Sequence, residues 1–389
     1  MELTKSERPH ISFFGCTNAG KSSVVNAVTN QKLSVVSEIK GTTTDPVLKS
    51  MEILPLGPVV IIDTAGIDDV TTLGELRTEK TKQILDKTDI AVLVVDVTVG
   101  MKDNDRNLIK DFEQRKIPYL LVYNKSDIAD NVSSAKNDGM LISAKTGDGI
   151  NELREKIGHI INDNKAEKYI IRDRINKGDI VVLVIPIDES APKGRVILPQ
   201  QNVLREVLDA NAAAVCCQPD ELEKVLSKVE PKFVITDSQV FNKVKKIVPD
   251  NIILTSFSIL MANYKGSLQT LLDGADEISK LKDGDKVLIS EGCTHHRQCN
   301  DIGTVKFPKW IKEYSGKNIE FDFTQGGEFP SDLSKYTLII HCGGCMLNEQ
   351  EMKSRVKKAK EQNIPIVNYG MAIAYMNGIL DRALEIFKN

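Results

Sequence analysis

The stretch GCTNAGKSS, Gly15 to Ser23, constrains this chain more than any other. It fits G-x-x-x-x-G-K-[ST], follows the apolar run HISFF and opens the helix-period segment SSVVNAVTN. A turn of that composition between strand and helix cradles phosphate, because glycines let the backbone close around the anion and the helix N-terminus faces it. The segments that follow keep the same grammar: MEIL, VVIID, TEKTKQILDKT, IAVLVVDV, LIKDFEQRK, PYLLVYN and INELREKIGHII. Val- and Ile-rich strands alternating with helix-period stretches predict a doubly wound, mostly parallel α/β sheet.

Further motifs follow in order and assign roles to residues. In the loop, Gly15, Asn18, Ala19, Gly20 and Ser23 surround the phosphates, Lys21 reaches the β/γ-phosphates and Ser22 offers a hydroxyl to Mg²⁺. DTAG, Asp63 to Gly66, closes the strand VVII, so Asp63 can hold Mg²⁺ and the Gly66 N–H can sense a γ-phosphate. GTTTD, Gly41 to Asp45, lies between them as a candidate switch, with Thr42 at the nucleotide and Thr43 completing the Mg²⁺ shell. NKSD supplies Asn124, Lys125 and Asp127, and SAK supplies Ser143, Ala144 and Lys145. A carboxylate at 127 accepts from the guanine N1–H and amine, whereas adenine leaves it unpaired, so GTP is the expected nucleotide. Lys21, Asn18 and Thr43 are the expected catalytic residues of a GTPase. Ile67 follows DTAG where some enzymes have a water-orienting glutamine, and slow intrinsic turnover is expected.

At 389 residues the chain is too long for one ordinary core. The polar stretch NDNKAEK, 162–168, reads as a linker, and a second α/β pattern (DIVVLVIPI, NVLREVLDANAA, KFVITD, NIILTS) closes near LLDGADEISKLKDGDK. The expected organisation is a P-loop domain over 1–165, followed by two further α/β domains with mainly parallel sheets over 166–275 and 276–389. A net charge of −3 shows no basic excess, so no nucleic-acid partner is expected. No apolar run is long enough for a membrane, and a cytoplasmic location is expected. Cys216 and Cys217, ending ANAAAVCC, read as small buried hydrophobes.

The remaining cysteines cluster. Four of the seven Cys and three of the five His lie between 293 and 345, in EGCTHHRQC and HCGGC. Cys293 and His295 follow the predicted strand KVLIS, while His341, Cys342 and Cys345 follow YTLII. If those strands are parallel neighbours, both motifs meet beyond their C-terminal ends, where open α/β sheets bind ligands. Spacing alone leans slightly to structural zinc in a Cys₃His set, leaves an iron–sulfur cluster open, and allows buried thiols without metal.

Two resemblances bear on this choice. NAGKSS with GTTTD resembles the TrmE-Era branch of GTPases, whose potassium-activated members use an asparagine at the position of Asn18 to hold K⁺ near the β/γ-phosphates; this implies potassium-stimulated hydrolysis. CTH, a gap of 45 residues over 296–340, and HCGGC beneath such a GTPase resemble the iron-only (FeFe) hydrogenase maturation GTPase family, HydF. The gap is at the short end for that family. This resemblance implies a 4Fe-4S cluster on Cys293, Cys342 and Cys345, with His295 and His341 as candidates for a fourth ligand or supporting role. It also implies a scaffold that receives a diiron precursor made with radical SAM maturases and delivers it to apo FeFe hydrogenase, and a middle domain that forms a homodimer. The competing reading is a TrmE-Era-type GTPase with a structural zinc domain acting in RNA or ribosome maturation, against which the acidic balance weighs.

Overall fold

The computed structural model describes residues 6–29, 47–53, 57–64, 74–129, 139–163, 168–187, 196–292 and 301–388. The chain divides into two compact units, residues 1–166 with 348–351, and residues 167–347 with 352–389.

In the first unit a six-stranded sheet runs in the order β2-β3-β1-β4-β5-β6. Its strands are β1 (His10–Phe14), β2 (Val47–Ile53), β3 (Gly57–Asp63), β4 (Ile90–Asp96), β5 (Tyr119–Asn124) and β6 (Met140–Leu141). All neighbours are parallel except β2 on β3. The central strands HISFF and IAVLVVD are buried on both faces, as a parallel sheet covered by helices requires. Ile11, Phe13, Val92 and Val94 join one core layer, and Phe14, Ala91, Leu93 and Val95 another. The chain leaves β1 for β3 on one side and β4 on the other, so the end of β1 is a switch point of strand order.

The second unit has two four-stranded, all-parallel sheets. One runs β10-β9-β7-β8, with β7 (Ile180–Val184), β8 (Ala213–Cys217), β9 (Phe233–Thr236) and β10 (Ile253–Ser256). The other runs β12-β11-β13-β14, with β11 (Lys286–Glu291), β12 (Glu320–Gln325), β13 (Leu338–His341) and β14 (Ile366–Asn368). The expected α/β class, a P-loop unit and two mainly parallel sheets, is the architecture observed.

The two sheets share one core: Val182, Val184, Val234 and Leu254 cluster with Val287, Leu288, Ile339 and Ile340. The boundary stretch LLDGADEISKLKDGDK begins inside a helix, Leu268–Asp276, which buries Leu271, Gly274 and Ala275. A Cβ on Gly274 would lie 2.1 Å from the Ile366 carbonyl oxygen, so only glycine lets this helix touch β14. On the other face of the β7 sheet, Ile386 joins Val181, Leu183, Phe233 and Phe257, and Arg382 Nη2 donates to the carbonyls of Val248, Pro249 and Ile252.

Cys216 and Cys217 depart from expectation. ANAAAVCC turns into edge strand β8, whose one partner among the described residues is β7, leaving Cys216 exposed and Cys217 half-buried. Trp310 packs edge-on against Phe307, ring centroids 5.5 Å apart.

Candidate functional site

The phosphate loop is shaped by its glycines. Gly15 has φ +137° and a Cβ there would lie 2.1 Å from Val94 O; Gly20 has φ +88° and a Cβ there would meet Asn124 Nδ2 at 2.3 Å. Asn18 is left-handed at φ 65°, a conformation asparagine tolerates better than most residues. The helix Lys21–Thr29 starts directly after Gly20, aiming its first N–H groups into the loop. Lys21 is buried, and its ammonium donates to the carbonyls of Gly15 (2.8 Å) and Cys16 (2.9 Å).

Ser22 Oγ donates to Asp63 Oδ2 at 2.7 Å, although the two lie on different elements. Asp63 Oδ1 is buried with no hydrogen-bond partner among the described residues. A buried, unsatisfied carboxylate oxygen beside a serine hydroxyl fits a hard divalent cation.

The guanine-side residues knit to the phosphate loop. Buried Asn124 donates from Nδ2 to Ala19 O (3.0 Å) and accepts at Oδ1 from the Ala144 N–H (3.0 Å), so one side chain ties NKSD to both GCTNAGKSS and SAK. Ser143 Oγ donates to Asp127 Oδ1 (2.8 Å), and Lys145 Nζ stands 3.8 Å from Asp127 Oδ2. Lys125, left-handed at φ 70°, pairs with Asp96 at 2.5 Å. Burial pushes the Asp96 carboxyl up, and hydrogen bonds from Lys125 and Thr98 more than offset it, leaving it below the usual range. Asp96 was missed by motif, though its place at the end of the apolar run IAVLVV is a signal. Of the expected nucleotide residues, Thr42, Thr43 and Gly66 lie outside the described residues.

At the second place, β11 and β13 are parallel neighbours, with Ser290 opposite His341. Strand order reverses there too, the chain leaving β11 for β12 on one side and β13 on the other. The Gly292 N–H donates to Cys342 Sγ at 3.0 Å, and the Gly344 N–H approaches the same sulfur at 3.4 Å. Two backbone donors therefore converge on this one sulfur. Cys293, His295, His296 and Cys299 lie outside the described residues. Among those described, no group of three or more His, Cys, Asp or Glu forms a metal-holding set.

The surroundings of Cys342 are buried and polar. His341 Nδ1 lies 2.7 Å from Cys342 O, so that nitrogen carries the proton, and Nε2 accepts from Arg355 Nη1 at 3.0 Å. Both ring nitrogens therefore have protein partners. Arg355 also donates to Ser290 Oγ (3.3 Å) and Gly326 O (2.6 Å). Tyr369 OH donates to Glu291 Oε1 at 3.2 Å, and burial, then the Glu291 carboxylate, push the Tyr369 hydroxyl well above its ordinary value. Burial and then Cys342 push the Cys345 thiol up, with Lys265 pulling it partly back. Arg355 and Lys265 sit in stretches without a recognisable motif, and nothing in the sequence marks them.

Comparison with known proteins follows this division. A 50S ribosome-binding GTPase model matches residues 10–125. The hydrogen maturase F dimerization domain matches residues 170–266 and the hydrogen maturase F tetramerization domain residues 269–386, together more than half the chain. The chain belongs to the hydrogen maturase F family. This family member carries a P-loop GTPase domain in its first unit. That part is 32% identical over 174 residues to tRNA modification GTPase MnmE of Dechloromonas aromatica, covering 42% of this chain and 38% of that protein. It is 33% identical over 160 residues to MnmE of Desulforamulus reducens, covering 39% and 34%. The chain thus spans little more than a third of the length of these curated relatives. A crystal structure of Era with MgGDPNP and nucleotides 1506–1542 of 16S ribosomal RNA aligns at 21% identity and a TM-score of 0.36, over 59% of this chain and 91% of that one. Among the described residues no helix is long and apolar enough to cross a membrane.

Proposed function

We propose that this chain is a GTP-hydrolysing scaffold of FeFe-hydrogenase maturation, which binds a 4Fe-4S cluster and hands a diiron precursor to apo-hydrogenase. The observation that carries the cluster reading is the parallel pairing of β11 with β13, which brings the Gly292 N–H to 3.0 Å from Cys342 Sγ, one residue before Cys293. Cys293, Cys342 and Cys345 would hold the cluster, which when bound supplies an iron–sulfur attachment point for the diiron unit. His295 remains the candidate fourth ligand. His341, with both nitrogens engaged, holds the Cys342 carbonyl and Arg355 instead.

In the GTPase domain, Ser22 and Asp63, which are hydrogen-bonded to each other, would hold Mg²⁺ together with Thr43, and the left-handed Asn18 would hold K⁺, which supplies the positive charge an arginine otherwise brings to the phosphates. Lys21 shifts from the loop carbonyls to the phosphates when nucleotide arrives. Slow, potassium-stimulated turnover then serves switching and partner release. Edge strand β8, with one strand neighbour among the described residues, pairs with its copy across a two-fold in a homodimer. The radical SAM maturases and apo-hydrogenase are the partners of this cytoplasmic cycle.

Anaerobic purification with iron, sulfide and zinc analysis and EPR tests the reading. Four irons and four sulfides per chain, with a reducible EPR-active centre lost in Cys342→Ser, are expected of a 4Fe-4S site. Stoichiometric zinc in natively isolated, iron-free protein overturns it in favour of a structural zinc domain.

A further inference from the structure

Lys265 belongs to the segment matched by the dimerization-domain model, yet it reaches the thiol loop of the following sheet. It caps the C-terminus of helix Phe257–Tyr264 and is 7% exposed. Its ammonium donates to the carbonyl of Gly344, in the middle of CGGC, and to that of Leu347 at 3.2 Å. Gly344 is therefore held from two sides, its N–H toward Cys342 Sγ and its carbonyl on Lys265. It is also the left-handed residue of the turn, at φ +61°, with a Cβ there 2.5 Å from Met352 Sδ.

A buried ammonium interacts strongly with nearby charge because little water screens it. The net charge and hydrogen bonding around an iron–sulfur cluster set its reduction potential. Resting on the cluster reading above, we infer that Lys265 is a positioning residue of the thiol centre, which pins the Cys342–Leu347 turn and places a fixed positive charge beside it that favours the more reduced cluster. One side chain of the dimerization segment thereby tunes a centre built on the neighbouring sheet.

The test uses the full chain, reconstituted anaerobically with ferrous iron and sulfide, and an EPR-monitored redox titration of the parent, Lys265→Gln, Lys265→Met and Lys265→Arg. Gln keeps a donor without charge, Met removes both, and Arg keeps the charge. The midpoint potential shifts lower in the Gln and Met variants and stays near the parent's in the Arg variant, while Trp310 emission and the thermal midpoint report that each is folded. Met loses more cluster than Gln, because the turn has also lost its pin. Parent-like midpoints in both Gln and Met overturn the inference, as does an Arg variant shifted as far as Gln. A parent protein that takes up no cluster overturns the reading beneath it, an outcome visible before any variant is made.

Discussion

Acidification loosens the N-terminal unit through His10. The residue opens β1 and is 8% exposed, and its Nδ1–H donates to Arg8 O at 2.9 Å. Burial, opposed by the Arg8 carbonyl and reinforced by Lys87, lowers its pKa from 6.5 to about 4, even with Asp89 3.8 Å away. The folded unit thus refuses a proton that the unfolded chain accepts. The stability this neutral imidazole confers is complete above the unfolded pKa near 6.5 and is lost as pH falls toward the folded value. A shift of that size corresponds to roughly 3 kcal/mol at its limit and about 2 kcal/mol at pH 5. Hydrogen–deuterium exchange between pH 7 and 5, corrected for intrinsic rates, reads it. Peptides from β1 and β3 lose protection in the parent and keep it in His10→Phe, with peptides from β13 as internal reference. Equal loss in parent and variant would refute the assignment of the acid sensitivity to His10.

Other substitutions probe the same framework. Asn124→Ala leaves the Ala19 carbonyl and Ala144 N–H without their partner, costing about 2–4 kcal/mol; a lowered thermal midpoint and weakened GDP binding are the readouts. Asn18→Gly keeps the left-handed turn but removes the amide, so GTPase rates in KCl and NaCl converge; a retained potassium effect would exclude Asn18 as the ligand. Gly274→Ala drives a methyl into the Ile366 carbonyl and destabilises the second unit by about 1–3 kcal/mol, read by Trp310 fluorescence in urea.

How much was legible in the sequence differs between the two units. GCTNAGKSS, Asp63 and NKSD each sit at the C-terminal end of an apolar run that reads as a strand, and SAK follows the two-residue β6, so topology gathers them. Asp96 and the bridging geometry of Asn124 were less visible, because they depend on which strands neighbour one another. In the second unit, the sequence offers the pairing of β11 with β13 only as the condition for the two cysteine motifs to meet, and the structure meets that condition. Strand β8 was not legible, since Ala213 and Ala214 carry little strand signal and the segment follows a helix. The helix Leu268–Asp276 looked like connecting chain because its buried face is small, with Gly274 and Ala275 where larger residues would have shown a period. Lys265 and Arg355 were illegible for a different reason: a lysine or arginine usually means a solvated surface, and only tertiary packing makes these two structural.

The core shared by the two sheets of the second unit has a consequence for biogenesis. During synthesis the P-loop unit's six strands are all complete by Leu141, and its nucleotide site can close early. The face of the sheet starting at Ile180 that carries Val182 and Val234 packs with Ile339, Ile340 and Val367, so it is not fully covered until β14 has left the ribosome. For that interval an apolar surface containing Val182, Val184 and Val234 waits beside edge strand β8. Nascent chains are most exposed to wrong pairing there, and chaperone capture of arrested chains ending between residues 266 and 368 is where that vulnerability would register.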